Sequence, residues 1–225
     1  MLTHDDALFL ESCIPVADQL NEMEKNLLLF NTVATVYQKG KIIINGVDEC
    51  NGLIIVKNGQ LRAYYTTAEG KEITLYRLLS SDICIMSASC IIKNIDFSVT
   101  LEVEKDSEVL VIPANIWGKL NEANGAVKEF SLQLISLRFS DVMWVMEQIV
   151  FKGMDQRLAG FLIEQSSLEE SDTLSITHEV IAKNLSTARE VISRLLKYFE
   201  NEKLVELSRG SLKILDFKGL HKLSG

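Results

Sequence analysis

Arg189, Glu190, Ser193, Arg194 and Lys197 crowd hydrogen-bonding groups onto nine residues whose remaining side chains are mostly apolar. An arginine offers a bidentate fork to guanine O6 and N7, and a carboxylate accepts from cytosine N4, so this set carries the chemistry of base readout in a DNA major groove. Val191, Ile192, Leu195 and Leu196 recur at helical spacing between them, which predicts a helix with an apolar back and a polar outer face. Upstream, Val180 and Ile181 are expected to anchor a short first helix, with a bend at Leu185-Ser186. Two helices joined this tightly form a helix-turn-helix, whose second member reaches base edges with its first turn. Thr187 and Glu190 stand three apart, the spacing of a capping box, so capping competes with base readout for the Glu190 carboxylate. Arg194 lies four residues after Glu190 on the same face, and the two could also pair with each other. Thr177, His178 and Lys197 fit contacts to the DNA backbone better than to bases.

Stepping outward, Leu204–Leu207 and Leu212–Leu215 flank Ser208-Arg209-Gly210-Ser211 and read as a small hairpin wing, with Arg209 and Lys213 placed to touch phosphate. A helix over 155–166 and a polar loop over Ser166–Asp172 are expected before the helix pair. From Val127 to Val150 no Gly or Pro interrupts a helical pattern. Leu132, Ile135, Phe139, Val142, Met146 and Ile149 step along it at heptad spacing, while Phe130, Leu134 and Leu137 form a second stripe. One stripe can pack inward; the other needs either the rest of a large core or a second copy of the chain. Lys152-Gly153-Met154 breaks this helix and serves as a hinge.

Residues 31–112 alternate short β-rich runs with turn signals: Val33–Tyr37, Ile42–Ile44, Gly52–Val56, Gln60–Tyr65 and Ile73–Leu78. Asn58-Gly59 reads as a hairpin turn, because both residues tolerate positive φ. Strands at this spacing predict a β-barrel or roll. The fold class is therefore α+β: a β-roll over 1–126, a dimerisation helix and hinge over 127–152, and a winged helix-turn-helix over 153–225.

The net charge of −8 and pI near 5.0 look unfavourable for DNA binding. The charge is unevenly spread, however. Residues 155–225 hold 10 Lys and Arg against 11 Asp and Glu, whereas residues 1–154 hold 13 against 20. Phosphate attraction must come from local presentation, and the acidic half keeps non-specific binding weak and salt-sensitive. No uncharged apolar run is long enough for a membrane span, and the N-terminus lacks the plan of a signal peptide, so a cytoplasmic protein is expected. The cysteines Cys13, Cys50, Cys84 and Cys90 lack metal-ligand spacing. No Ser-His-Asp, metal or phosphate-loop constellation points to an enzyme.

The run Arg189-Glu190-Val191-Ile192-Ser193-Arg194-Leu195-Leu196-Lys197, together with Arg157-Leu158-Ala159, resembles the winged helix of the cyclic-AMP receptor protein/FNR superfamily of bacterial transcription regulators. Turn glycines at 40, 59 and 70 and the segment Val111-Ile112-Pro113 resemble that family's β-roll, so the resemblance covers nearly the whole chain. Glu190-x-x-Ser193-Arg194 looks like the FNR branch, while Arg189 looks like the cyclic-AMP receptor branch. The resemblance implies a homodimer on palindromic double-stranded DNA, with half-sites about 34 Å apart, and RNA polymerase as a partner. It also implies that Glu190 and Arg194 read bases.

The signal is another matter. The family's Pro-Gly-Asp turn is Ser80-Ser81-Asp82 here, Met86 stands near the position of the ribose-binding glutamate, and no arginine occurs between Arg77 and Arg138. A cyclic phosphate in an apolar roll without a cation would be a buried unpaired charge, which is strongly disfavoured. The iron–sulfur motif of the FNR branch is missing, since Cys13 is the only cysteine before Cys50, and His4, His178 and His221 lie outside the roll. No cofactor is assigned. Cys84 and Cys90 could form a redox pair, bind a thiophile, or simply pack in the core. A small-molecule or redox-sensing module whose helix pair is only structural is the alternative to a DNA-binding regulator.

Overall fold

The computed structural model describes residues 2–45, 52–85 and 99–225. Met86, Cys50 and Cys90 fall outside these, and so does the spacing of the Cys84–Cys90 pair. Two compact units emerge, Met1–Thr66 with Thr74–Val142, and Thr67–Ile73 with Met143–Gly225.

The first unit is organised by its longest-reaching strand. Strands β1 (Val33–Tyr37), β2 (Ile42–Asn45), β3 (Leu53–Thr66), β4 (Glu72–Leu78), β5 (Ile83–Cys84) and β6 (Thr100–Ile112) make one sheet, in which β6 pairs antiparallel with β1, β2 and β3. Leu61, Ala63, Tyr76, Leu78, Leu101 and Val103 pack together with Cys84 in an apolar cluster, while Gln60, Arg62 and Thr100 are buried on the same strands. Asn58-Gly59 does not turn the chain. β3 runs straight through it, with Gly59 at φ 100° and the register to β6 shifting on either side of Asn58. Because β6 is long enough to pair with both halves of β3, the expected hairpin becomes a bulge, and Gly59 alone supplies the positive φ. The Ser80–Asp82 turn survives without glycine: Ser81 sits at φ 72°, and Asp82 Oδ2 accepts from Leu79 N at 2.8 Å. A side chain in that region costs about 1 kcal/mol.

Helices α1 (His4–Cys13) and α2 (Glu22–Asn31) precede the sheet, and α3 (Ala114–Ala123) and α4 (Gly125–Phe151) follow it. None of α1, α2 or α3 stood out in the sequence. Leu10, Ile14, Leu28, Trp117, Leu120 and Phe130 close a second core with Leu53, Ile55, Leu110 and Ile112 of the sheet. Trp117 Nε1 donates to Ser131 Oγ at 3.0 Å and its ring meets Phe130 edge-on, which locks α3 to α4. On α4 the inward stripe is Phe130, Leu134 and then Arg138; Leu137, expected to share it, is exposed. Arg138 stacks over Tyr76 at 4.7 Å and donates to the Ile83 carbonyl. A cation therefore does reach the roll, from a helix distant in sequence, contrary to the expectation drawn from the spacing of arginines.

The second unit holds α5 (Met154–Glu169), β7 (Thr173–Leu174), α6 (His178–Asn184), α7 (Arg189–Asn201), β8 (Val205–Ser208), β9 (Ser211–Ile214) and α8 (Phe217–Ser224). The strands order as β7-β9-β8. Helix α5 continues to Glu169 and ends on Glu170 at φ 49°, so the expected loop from Ser166 shortens to 170–172. In the added turn Leu168 is half-buried, and the Glu170 N–H closes the helix on the Ser166 and Ser167 carbonyls. No helix among the described residues is long and apolar enough to cross a membrane.

One ion cluster ties the N-terminus to the sheet. Asp6 Oδ2 accepts from Thr3 N while Asp6 N donates to Thr3 Oγ1, a capping box; Oδ1 accepts from Lys57 Nζ at 2.7 Å, and Lys57 also meets Glu108 at 3.0 Å. The Lys57 bond, then those from Thr3, lower the Asp6 pKa to about 2, and the same carboxylates raise that of Lys57. Asp6 is thus charged more readily folded than unfolded. Its contribution is present above the ordinary carboxylate pKa near 4 and fades as pH falls from there towards about 2. Asp6→Asn should be less stable at pH 6, with a shallower loss of stability between pH 4 and pH 2. Denaturant unfolding across that range checks it, and parallel pH curves for the two proteins would contradict it.

Candidate nucleic-acid interface

Helix α7 is set by the turn before it. Thr177 Oγ1 caps α6 by accepting from Val180 N at 3.3 Å, and Ile181 and Ala182 point into the core, whereas Val180, expected as an anchor, is exposed. Leu185 is buried at the bend, Ser186 takes φ 54°, and Thr187 N returns to Ala182 O at 3.0 Å. Arg157 on α5 donates to the Leu185 carbonyl at 2.9 Å, and burial holds its guanidinium pKa below the usual value. The chain is extended at Ala188, which becomes the N-cap of α7 and offers no side-chain bond. The Thr187–Glu190 capping box is therefore not formed: with the cap one residue later, the third position on is Val191.

That shift leaves Glu190 uncommitted. Ile192, Leu196 and Phe199 bury one side of α7 completely, and Arg189, Glu190, Arg194 and Lys197 are exposed on the other. Glu190 and Arg194 do not pair with each other, and neither they nor Arg189 has a side-chain partner among the described residues. Lys197 is engaged, donating to Glu200 at 2.6 Å; that bond and one from Leu207 N lower the Glu200 pKa. Ser193 is half-buried, its Oγ 2.9 Å from His178 Nδ1 on α6. Sequence reading missed this contact, since the partners are fifteen positions apart and only the turn between the helices brings them together. Thr187 is half-buried, and Thr177 is exposed.

The wing forms as expected, with Arg209 exposed beside Gly210, φ 80°, in the turn joining β8 to β9. Lys213 lies 3.6 Å from Asp172 with both side chains half exposed, an ion pair of little strength. Along α4, Leu132, Phe139, Met146 and Ile149 are exposed, Val142 is intermediate, and Ile135 packs partly on the first-unit core. Trp144, Val150 and Phe151 add to this apolar surface, Phe151 at 78% exposure. Cys84 is fully buried in the roll.

Comparison with known proteins agrees with this layout. A family model described as a Crp-like helix-turn-helix domain matches residues 156–223, and one described as a cyclic nucleotide-binding domain matches residues 34–124. A crystal structure of a Crp/Fnr-family transcriptional regulator from Eubacterium rectale shares 47% identity, covering 95% of this chain and 99% of that chain, with TM-score 0.92. Electron transport regulator A of Shewanella oneidensis is 26% identical over 95% of this chain and 86% of its own length. The fumarate and nitrate reduction regulatory protein of Vibrio cholerae is 25% identical over 98% of this chain and 89% of its own length.

The His178–Ser193 contact joins α6 to α7, so that if Ser193 reads a base, His178 positions it. His178→Ala should alter base preference at the same site position as Ser193→Ala, and the double variant should alter it no further. Selection of bound duplexes from a library randomised across the half-site reads this. A changed preference in Ser193→Ala with none in His178→Ala would reject the coupling.

Proposed function

The chain belongs to the Crp/Fnr family of transcription regulators, and we propose that it works as a homodimer that lays one α7 from each protomer into successive major grooves of a palindromic site. It is a DNA-binding regulator with a helix-turn-helix domain and not an enzyme. In this reading residues 1–126 sense, 127–152 dimerise and hinge, and 153–225 read DNA.

The observation that carries the base assignments is the emptiness of the reader face. Arg194 and Arg189 keep their forks for guanine, and Glu190, relieved of capping, keeps its carboxylate for cytosine N4. An acid on a DNA-facing helix is repelled by phosphate, so its unpaired exposure there favours a base partner over a structural one. Ser193 completes the reading set; Lys197, Thr177, Thr187 and Arg209 supply backbone contacts. RNA polymerase is the further protein partner expected for this role. The departures at Ser80-Ser81-Asp82 and Met86 support a signal in the roll other than a cyclic nucleotide, even though Arg138 brings a cation to it.

The apolar surface of α4 supports the dimer. Leu132, Ile135, Phe139, Val142, Met146 and Ile149 follow a seam at heptad spacing, and an apolar strip of this size seldom stays open to water.

Arg194→Ala should weaken binding to the selected palindrome by about 1–3 kcal/mol and relax preference at one base pair per half-site. Anisotropy titrations of selected and scrambled duplexes at two salt concentrations measure this, and equal losses on both duplexes would contradict direct readout. Val142→Asp would bury an unpaired charge in the seam. Sedimentation should show it shifted towards monomer, with weakened palindrome binding; a folded variant that stays fully dimeric would move the interface elsewhere.

A further inference from the structure

Met143–Gly225 belong to one compact unit, so the last turns of α4 share a unit with α7 although the break at Gly153 lies between them. The covalent route across that break is thin. Gly153 is extended, at φ −63° and ψ 159°, and its N–H donates to the Gln156 side chain at 3.0 Å. One extended residue between two helices leaves their relative angle to a few backbone dihedrals, which is how hinges are built. A second connection crosses the same break through space. Lys152 Nζ donates to the Ser224 carbonyl at 2.5 Å, and a Cβ on Gly225 would lie 3.6 Å from the same ammonium. Ser224 ends α8, where carbonyls lack donors within the helix, so a cation there fills an empty acceptor and meets the negative end of the helix dipole. Helix α8 is in turn anchored to α7. Leu204 N donates to the Phe199 carbonyl of α7 at 2.9 Å, and the Leu204 carbonyl accepts from Leu215 N at 2.9 Å and Asp216 N at 3.2 Å. Asp216 then caps α8 by accepting from Gly219 N at 2.9 Å, and Leu220 is wholly buried. Gly160 of α5 leaves room for the end of α8: a Cβ there would stand 3.9 Å from the Ser224 side chain.

We infer that α8 is a brace across the hinge, and that Lys152 is the positioning residue that fastens it. Helix α7 is joined to the end of α4 by two routes. One runs back along the chain through α6, α5 and Gly153; the other runs forward through Leu204, Asp216 and α8 to Lys152. Attachment at two separate points opposes a rotation that attachment at one permits. With the brace closed, the direction of α7 relative to the last turns of α4 is fixed; with it open, Gly153 and its neighbours bend. Lys152 is half-buried, which partly shields the bond from competing water. The brace rests on the proposed dimer for its consequence alone. Where α4 joins two copies, a fixed hinge gives a fixed distance and phase between the two α7 helices, and so selects one spacing of half-sites.

The test uses the full chain as wild type, as Lys152→Met, which keeps the apolar stem and loses the donor, and as Lys152→Arg, which keeps a donor. Duplexes carry the selected palindrome, or the same half-sites with one base pair added between them, which turns one half-site by about 34° relative to the other. The wild type should bind the native spacing better than the lengthened one. Lys152→Met should shrink that ratio by roughly tenfold, the lower end of what one charge-assisted hydrogen bond is worth, and Lys152→Arg should restore it. Hydrogen exchange without DNA should be faster over 151–156 in Lys152→Met and unchanged across α7. Gly160→Leu, whose side chain takes the place of Ser224, should reproduce both effects. Where the wild type discriminates between spacings, an unchanged ratio in Lys152→Met overturns the brace, including the case in which both duplexes lose affinity equally. If the wild type shows no spacing preference, or binds no duplex, the dimeric reading fails instead. Exchange alone then decides the brace: faster exchange over 151–156 keeps it and unchanged exchange rejects it.

Discussion

The rotation of one helix about its own axis governs what this protein can read. Ile192, Leu196 and Phe199 are each wholly buried, and removing such side chains from water is worth roughly 1.5–3 kcal/mol apiece. That burial points Arg189, Glu190 and Arg194 outward. A turn of the helix by one residue would expose an apolar ring and bury a charge, so base chemistry and core packing are specified together. Arg157 and the positive φ of Ser186 hold the preceding bend, which in turn decides that Ala188 and not Thr187 starts the helix.

In the N-terminal half the comparable constraint is β6. It lies between β1 and β3 and also carries β2, so its register sets where the interior of the roll falls. The bulge at Asn58-Gly59 lets β3 follow it without a break. Helix α4 packs against the same half through Phe130, Leu134 and Arg138, while Leu132, Leu137 and Phe139 are exposed. A helix apolar on two sides, with only one covered among the described residues, carries surface suited to a second copy.

Charge is distributed to fit the division of labour. The chain is acidic overall, yet the exposed face of α7 carries Arg189 and Arg194, which no carboxylate among the described residues neutralises, whereas Lys197 pairs closely with Glu200 and Lys213 only loosely with Asp172. Weak general attraction to phosphate would leave discrimination to a few fixed groups, and Ser193, held 2.9 Å from His178 Nδ1, is one of those proposed for it.

The sequence by itself determined the elements whose signals are local. The 3.6-residue period placed α4 and α7, turn residues placed the wing, and β-rich runs separated by glycines predicted the roll. Even the exposed arginines and Glu190 were legible, because a helix with one apolar stripe has only one other face. What depended on partners remote in the chain was decided by the tertiary structure. Asn58-Gly59 is a bulge because β6 lies alongside, a fact no window around residue 58 contains. The capping box failed because the bend moved the helix start by one residue. His178 meets Ser193, and Arg138 meets Tyr76, only once helices and strands have docked, since side-chain contacts between elements follow from their relative placement and not from spacing along the chain.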